Sequence, residues 1–157
     1  MKIMINLTLI SIITILHSSL SFFGNTNNLY VMSAVKDSSY YYYDGTYQGR
    51  TQASYSSEPF WGNIQISVVN GLFTDIRFSI RDSSTHEYVD SMYGVIHYSG
   101  NQEYMKQCVN EEHGIASYPK KLLKSQNLDN IDGISGATWS YNFFIASAKE
   151  ALKDAKK

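Results

Sequence analysis

The sequence predicts a small α+β domain in which helices pack on an antiparallel β-sheet. Residues that alternate between apolar and polar dominate the first part of the folded region, and apolar residues at helical spacing dominate the last part. Strands that come before helices, instead of alternating with them, are typical of the α+β class. The length of 157 residues, with 14% aromatic and 17% charged residues, suits one domain with a modest core and is too short for two.

The strands are predicted as a hairpin with one strand before it. Apolar and polar residues alternate on both sides of Asn70-Gly71, with Ile64, Ile66 and Val68 before the pair and Ile76, Phe78 and Ile80 after it. Both central residues of a type I′ turn need positive φ, which makes Asn-Gly between alternating runs the strongest local hairpin signal. The preceding strand is predicted over residues 46–55, where the same alternation occurs.

The helices are predicted in the second half of the chain. Apolar spacing predicts one helix over 101–112 that ends at Gly114, and a short second helix opened by Pro119. The C-terminal helix is predicted over 137–156 from a continuous apolar stripe of Tyr141, Phe144, Ile145, Ala148, Leu152 and Ala155. The stretch 82–98 gives an ambiguous pattern, which we interpret as a loop followed by a short strand over 93–97.

The N-terminus resembles a secretory signal peptide over residues 1–21. Lys2 precedes the apolar run from Ile3 to Leu16, which is shorter than the roughly 20 residues that a spanning helix needs. Small residues at Ser19 and Ser21 suit a signal peptidase, and an uncleaved membrane anchor or a buried helix is the alternative. Residues 22–42 are predicted as a flexible arm and 43–157 as the folded domain.

Charge and composition exclude several kinds of site. A net charge of −1 argues against nucleic acid as a partner. The single cysteine, Cys108, cannot form an intramolecular disulfide or a thiolate zinc site, and its place on an apolar stripe predicts a buried inert thiol. No metal site is predicted, because His86, His97 and His113 lack ligand spacing. Residues 111–113 are interpreted as a solvated helix end.

The segment before the last helix is the strongest candidate for a site. It consists of small and hydroxylated residues in the order Asp132-Gly133-Ile134-Ser135-Gly136-Ala137-Thr138. The first turn of a helix presents unpaired N–H groups and the positive end of the helix dipole, which together bind anions such as phosphate. The alternative is that Ser135 is an ordinary N-cap and that the glycines only serve the loop.

The same segment resembles the flavinylation motif of the FMN-binding domain family, whose members include subunits of the sodium-pumping NADH:quinone reductase and of the Rnf complex. That motif has Asp, two variable residues, Ser or Thr, Gly, Ala, and Ser or Thr, and residues 132–138 match every constrained position. Residues 44–49 resemble the family's opening strand, and Phe60-Trp61-Gly62 resembles the start of its second strand. The resemblance extends over about residues 43–155.

The resemblance implies that FMN is joined through a phosphoester to Thr138, by a separate flavin transferase that uses FAD as the donor. Thr138 is then an attachment point, and no residue is predicted to be catalytic. The residues expected at the cofactor are Asp132, Gly133, Ser135, Gly136, Ala137, Thr138, Trp61 and Gly62.

The function implied is that of an exported electron carrier, between a membrane redox partner and an acceptor outside the cytoplasm. Residues 82–87 stand where the large respiratory subunits carry an acidic loop with Pro and Gly, so we expect a short, free-standing branch of the family. The alternative is a secreted binding module for carbohydrate or protein that uses surface tyrosines. A stand-alone flavin reductase is disfavoured because the sequence has no nicotinamide-binding fingerprint.

Overall fold

A computed structural model describes residues 42–52 and 58–156 of the chain. The three strands are β1 (Gly45–Thr51), β2 (Phe60–Val69) and β3 (Leu72–Asp82), and they form one antiparallel sheet in the order β1-β2-β3. The helices are α1 (Ser91–Tyr98), α2 (Gln102–Ser125) and α3 (Thr138–Leu152), with a 3₁₀ turn at Leu128–Asn130. The α+β class is therefore confirmed. None of the described helices is both long and apolar enough to span a bilayer.

The predicted hairpin is confirmed. Asn70 and Gly71 both have positive φ, 56° and 76°, as a type I′ turn requires. The Asp44 carboxylate accepts hydrogen bonds from both of their N–H groups, at 3.0 and 2.9 Å. The first strand begins one residue earlier than predicted and ends at Thr51, while residues 53–55 of the prediction lie outside the described part of the chain.

One face of the sheet forms the core with α2 and α3. Ile64, Ile66 and Val68 are buried on β2, and Ile76 and Ile80 are buried on β3, so the alternation read from the sequence corresponds to inward and outward faces. Ile66 pairs with Ile76 across the hairpin.

The short strand predicted over 93–97 is wrong, because this segment belongs to α1. Asp90 is the N-cap of the helix, and its carboxylate accepts the Tyr93 N–H at 2.9 Å. The β-branched pair Val95 and Ile96 suggested a strand. The helix is stabilised instead by its N-cap bond and by packing of Gly94 against Cys108 of α2.

The two helices predicted over 101–123 are a single helix, α2, with Pro119 inside it. Gly114 does not end a helix. A Cβ atom there would lie 2.5 Å from Ser140 Oγ and 2.7 Å from Ala137 Cβ, so glycine allows α3 to approach α2 closely. The left-handed C-cap is Gln126, with φ 56°, and its side chain bonds the N–H and C=O of Phe73 at 2.8 and 3.0 Å.

Helix α3 begins at Thr138 and ends at Leu152, inside the predicted range 137–156. The predicted stripe is buried or half-buried, as expected. Phe143, Ser147 and Ala151 are buried as well, because α3 packs against both α2 and the sheet. The N-terminal end of α3 lies near the start of β2, and its C-terminal end lies near Tyr42.

Candidate functional site

The loop that leads into α3 is held by two tyrosine hydroxyls. Tyr118 is fully buried, and its hydroxyl donates to the Ala137 carbonyl at 2.9 Å and accepts the Ile134 N–H at 3.0 Å. Burial raises the pKa of Tyr118, so the hydroxyl keeps its proton for donation. Tyr141 donates to the Ile131 carbonyl at 2.9 Å. The loop therefore has fixed anchors at both ends, which place Ser135 and Gly136 at the surface.

Gly136 has a backbone conformation that favours glycine. Its φ is 81°, in the left-handed region that L side chains rarely adopt. A Cβ atom at this position would lie 3.0 Å from Asn110 Nδ2. Both observations explain a glycine just before the helix, and the first agrees with the turn expected from the sequence.

The N-terminus of α3 has no side-chain cap. The N-cap is Ala137, with φ −125°, and the ordinary-cap interpretation of Ser135 is therefore wrong. The N–H groups of Thr138 and Trp139 have no hydrogen-bond partner among residues 42–52 and 58–156, as the first donors of a helix usually lack one. The side chain of Thr138 is exposed beside them.

Glu111 binds the third N–H group of this helix, that of Ser140. Its carboxylate is buried and accepts the Ser140 N–H at 2.8 Å. The sequence-based interpretation of 111–113 as a solvated helix end is therefore wrong: Glu111 lies mid-helix in α2 and ties α2 to the start of α3. The two earlier donors of α3, at Thr138 and Trp139, keep no partner in the described part of the chain.

A cleft of about 620 Å³ opens in front of these donors. Its lining consists of Glu58, Glu103, Lys106, Gln107, Asn110, Glu111, Gly136, Thr138, Trp139 and Asn142. Lys106 is the one cation among these lining residues, and Thr138 and Gly136 form the side of the cleft that belongs to α3 and its loop.

A smaller pocket of about 140 Å³ adjoins the cleft and shares Glu58, Gln107, Glu111 and Trp139 with it. The other lining residues are mainly aromatic or apolar, namely Phe60, Val89, Tyr93, Tyr98, Tyr104 and Cys108. We call this space the aromatic pocket. Such a combination of aromatic walls with a few polar groups is typical of a site for a flat organic ligand.

Trp139 forms the boundary between the cleft and the aromatic pocket. Its indole N–H donates to the Glu58 carboxylate at 3.0 Å. Its ring meets Phe60 and Phe143 edge-on, with centroid distances of 5.1 and 4.7 Å. One hydrogen bond and two ring contacts therefore fix the orientation of the indole.

Behind the aromatic pocket, Asp82 organises the end of β3. Its carboxylate accepts bonds from the Ser84 N–H and hydroxyl at 2.7 and 2.6 Å and from the Tyr93 hydroxyl at 2.7 Å. Burial alone raises the pKa of Asp82, but these hydrogen bonds outweigh burial and lower the pKa to about 2. Burial and the Asp82 carboxylate raise the pKa of Tyr93, so the donor stays protonated.

Cys108 faces the aromatic pocket and is only half-buried, which corrects the expectation of a buried thiol. Burial, with Glu111 nearby, raises the pKa of the thiol, so it is neutral near pH 7. No group of three His, Cys, Asp or Glu side chains able to hold a metal ion occurs in the described ranges.

The structure brings together only some of the residues that the sequence singled out. Gly136 and Thr138 line the cleft, and Ala137 is buried beneath them. Residues Asp132, Gly133 and Ser135 are exposed along the loop, outside the cleft lining.

Trp61 and Gly62 lie apart from Thr138. Trp61 lies on the outer face of the sheet with the Arg50 guanidinium 4.5 Å from its ring centre. Gly62 lies on the inner face, where a Cβ atom would be 3.1 Å from Phe143. Within Phe60-Trp61-Gly62, Phe60 is the residue that lines the aromatic pocket.

Sequence reasoning missed the α2 side of the site and the aromatic residues of the pocket. Glu58, Lys106 and Glu111 are single charged residues without a motif, and only the structure shows that they meet. For Phe60 a signal was available, because it belongs to the segment Phe60-Trp61-Gly62 that resembles the family's second strand.

Two solved structures from structural genomics are similar to this chain. A crystal structure of a Clostridium perfringens protein shares 24% sequence identity and has a TM-score of 0.57, and the match covers 73% of this chain and 88% of that one. A solution NMR structure of a Clostridium thermocellum protein shares 20% identity with a TM-score of 0.42, covering 73% and 92%. The first similarity establishes a shared fold and nothing about function. No curated protein matches the chain.

The family comparison is decisive for identity. The model of the FMN-binding domain matches residues 58–153, a range that contains β2, β3, all three helices and the lining of both the cleft and the aromatic pocket. This confirms the resemblance seen in residues 132–138. The chain belongs to the FMN-binding domain family.

Proposed function

We propose that this protein is an electron carrier that holds one FMN covalently, through a phosphoester between the flavin's phosphate and the hydroxyl oxygen of Thr138. The observation that carries the proposal is the exposed Thr138 side chain beside two unpartnered N–H groups, at the wall of a cleft. Membership of an FMN-binding family supplies the cofactor.

The residues present fit a phosphate at this position. The free N–H groups of Thr138 and Trp139, with the positive end of the α3 dipole, favour an anion. Gly136 has no side chain to obstruct the approach, and Lys106 supplies a positive charge in the same cleft. Glu58, Glu103 and Glu111 of the cleft work against the phosphate by their charge, but Glu58 is bound to the Trp139 indole N–H and Glu111 to the Ser140 N–H.

The aromatic pocket, together with the adjoining part of the cleft, offers surface suited to the flavin's ring system. Its walls of Phe60, Tyr93, Tyr98 and Trp139 offer apolar and aromatic surface, while Gln107 offers an amide for the polar edge of the ring. These residues would hold the ring and limit its contact with water. FMN itself supplies the reversible uptake and release of electrons, and the protein supplies binding, orientation and electrostatics.

Attachment requires a second protein, the flavin transferase, with FAD as the donor. The Thr138 hydroxyl oxygen forms a bond to the phosphorus of the FMN half, the pyrophosphate bond of FAD breaks, and AMP leaves while the hydroxyl proton passes to solvent. An exposed hydroxyl at an open cleft is what such a reaction needs, because the transferase must reach it.

The location and the partners complete the proposal. The signal-like segment 1–21 supports export, and we infer that the carrier works between a membrane redox protein and an acceptor outside the cytoplasm. An uncleaved leader would instead keep the domain at the membrane surface.

The test is coexpression with a flavin transferase followed by intact mass and absorbance measurements. We expect a yellow protein whose mass increases by that of FMN less one water, and the increase should persist after denaturation. Thr138→Ala should lose the flavin completely while its free energy of unfolding changes by less than about 1 kcal/mol. Thr138→Ser is the matched control and should keep the flavin.

A Thr138→Ala protein that still carries FMN through denaturation would refute the assignment. A wild-type protein that stays colourless with an active transferase would favour the secreted binding module.

A further inference from the structure

We propose that the outward face of α1 is the docking surface for an electron-transfer protein that carries lysines and arginines around the edge of its own cofactor. By the α1 face we mean the exposed side chains of Met92, Val95 and Ile96. The inference rests on the proposed flavin site and names the class of partner for that site.

The α1 face is exceptional in its exposed apolar surface. In the described part of the chain eight large hydrophobic side chains are exposed. Six of them fall between residues 88 and 109, namely Tyr88, Met92, Val95, Ile96, Tyr104 and Val109. Exposed apolar side chains scattered singly are ordinary, whereas a concentration of them marks an interaction surface.

Within α1 the exposed apolar residues form one stripe. Met92, Val95 and Ile96 are exposed by 58%, 42% and 58%, and their spacing of three and four places them on one side of the helix. Tyr93 and Gly94 on the other side are buried. The helix is therefore apolar on both sides, although only one side is covered by this chain.

The α1 face adjoins the aromatic pocket. Tyr93 and Tyr98 of the same helix line that pocket, so the pocket and the face are separated by one helix, about 10 Å thick. Tyr104 is exposed, lines the pocket and stacks on Tyr98 at a centroid distance of 5.2 Å. A protein docked on the α1 face would bring its cofactor close to a flavin in the pocket.

The charges around the face determine the kind of partner. Seven carboxylates lie on or against α1, the cleft and the pocket, namely Glu58, Asp82, Glu87, Asp90, Glu103, Glu111 and Glu112. In the described ranges four cations lie among them: Lys106 is in the cleft, Arg81 is beside Tyr88, and Arg77 and Lys120 share a pocket with Asp90 and Glu112. A surface with this excess of negative charge attracts a basic partner and speeds its approach.

The same charges argue against other occupants. A second copy of this chain would bring its own carboxylates against these, and like charges across an interface are unfavourable. Anionic lipid and nucleic acid are repelled for the same reason. A basic redox protein whose docking surface has an apolar centre is complementary both to the charge and to the apolar stripe of α1.

Mitochondrial cytochrome c, whose haem edge is surrounded by lysines, is a suitable probe. Oxidation of the reduced FMN by two electrons is balanced by reduction of two ferric haems to ferrous, with two protons released to solvent. The flavinylated protein, reduced with dithionite under anaerobic conditions, is mixed with the cytochrome in a stopped-flow instrument. The experiment runs at pH 8. A neutral water-soluble benzoquinone is the control acceptor.

We expect the rate constant with cytochrome c to fall about tenfold or more between roughly 10 and 500 mM salt, while the rate with benzoquinone stays constant. Ile96→Lys should lower the rate with cytochrome c about tenfold, because it places a cation in the centre of the apolar stripe. Val69→Lys is the matched control: Val69 is exposed by 50% at the far end of β2, and its variant should keep the wild-type rate. Both variants should carry the same amount of FMN.

A flavinylated protein whose rate with cytochrome c ignores salt, or whose two lysine variants behave alike, refutes the docking surface and leaves the proposed function standing. A concentration-dependent dimer that Ile96→Lys dissociates would assign the face to a second copy and also refute it. A protein that takes up no FMN, or whose reduced FMN is not oxidised even by benzoquinone, refutes the proposed function and this inference with it.

Discussion

The β2–β3 hairpin and the N-terminal end of α3 each depend on a glycine with positive φ, yet they differ in how completely their polar groups are satisfied. At the hairpin, Gly71 has φ 76°, and the Asp44 carboxylate binds the N–H groups of the turn. At α3, Gly136 has φ 81°, and the N–H groups of Thr138 and Trp139 have no partner in the described part of the chain. The N–H groups of the hairpin turn are bound within the chain, whereas the start of α3 leaves two N–H groups without a partner among the described residues.

This difference separates stability from function. Open donors at a helix start are ordinary by themselves, but at α3 they lie beside the exposed Thr138 side chain at the wall of a cleft, where we propose that FMN is attached. Variants in the hairpin should therefore change the free energy of unfolding, and variants at the start of α3 should change flavin content more than stability.

The largest effect on stability is expected for Ile66→Ala in the hairpin. Ile66 is fully buried and pairs with Ile76, so truncation leaves a cavity and should cost about 2–5 kcal/mol. Urea unfolding measures the loss. The protein that remains folded should still carry one FMN per chain, and a selective loss of flavin without a loss of stability would contradict the separation.

How well each element could be predicted depends on whether its signals are local in the sequence. The hairpin was predicted because its signals, alternation and Asn70-Gly71, are local in sequence. Helix α1 was mistaken for a strand because Val95 and Ile96 favour strands locally, while packing of Gly94 on α2 is a tertiary effect. Gly114 was mistaken for a helix end because its true reason, contact with Ser140 and Ala137, lies in another helix.

Within the candidate site, too, residues with a local sequence signal could be predicted and dispersed residues could not. Thr138 and Gly136 were predicted because they belong to one contiguous motif. Glu111 was assigned to a solvated end, since nothing in the sequence near it reveals that its carboxylate reaches the Ser140 N–H. The aromatic pocket draws residues from the start of β2, from α1, from α2 and from α3, and a set so dispersed has no sequence signature.

An intermediate effect is expected at Asp82, the last residue of β3, where the hairpin meets the wall of the aromatic pocket. Its pKa is lowered from 3.8 to about 2 in the folded protein. The ionised carboxylate therefore stabilises the fold above the unfolded pKa, and the contribution is lost as the pH falls through the folded value. Asp82→Asn should cost about 2 kcal/mol at pH 7.

The pH dependence is the sharper measurement for Asp82. The difference in unfolding free energy between wild type and Asp82→Asn should be constant from pH 7 to about 5 and should shrink between about pH 4 and 2. Asp75→Asn is the control, because Asp75 pairs with an exposed Arg77 at the surface, where an ion pair contributes little. A difference that does not change with pH would show that the hydrogen bonds of Asp82 do not depend on its charge.

The smallest effect on stability, and the most informative, is expected for Gly71→Ala and Gly136→Ala as a pair. Each variant forces an L side chain into the left-handed region, at a cost of about 1–2 kcal/mol. At Gly136 the new Cβ atom also meets Asn110 Nδ2 at 3.0 Å, the end of a side chain that can move. The two variants should therefore lose similar amounts of thermal stability.

They should differ in flavin content. Gly136→Ala places a methyl group where the phosphate and the transferase approach the backbone beside Thr138, so its occupancy after coexpression should fall well below that of Gly71→Ala. Intact mass gives the occupancy and thermal unfolding gives the stability on the same preparation. If both variants lose stability equally and keep full flavin, Gly136 serves only its turn, as Gly71 does, and the start of α3 is no more specialised for a phosphate than the hairpin is.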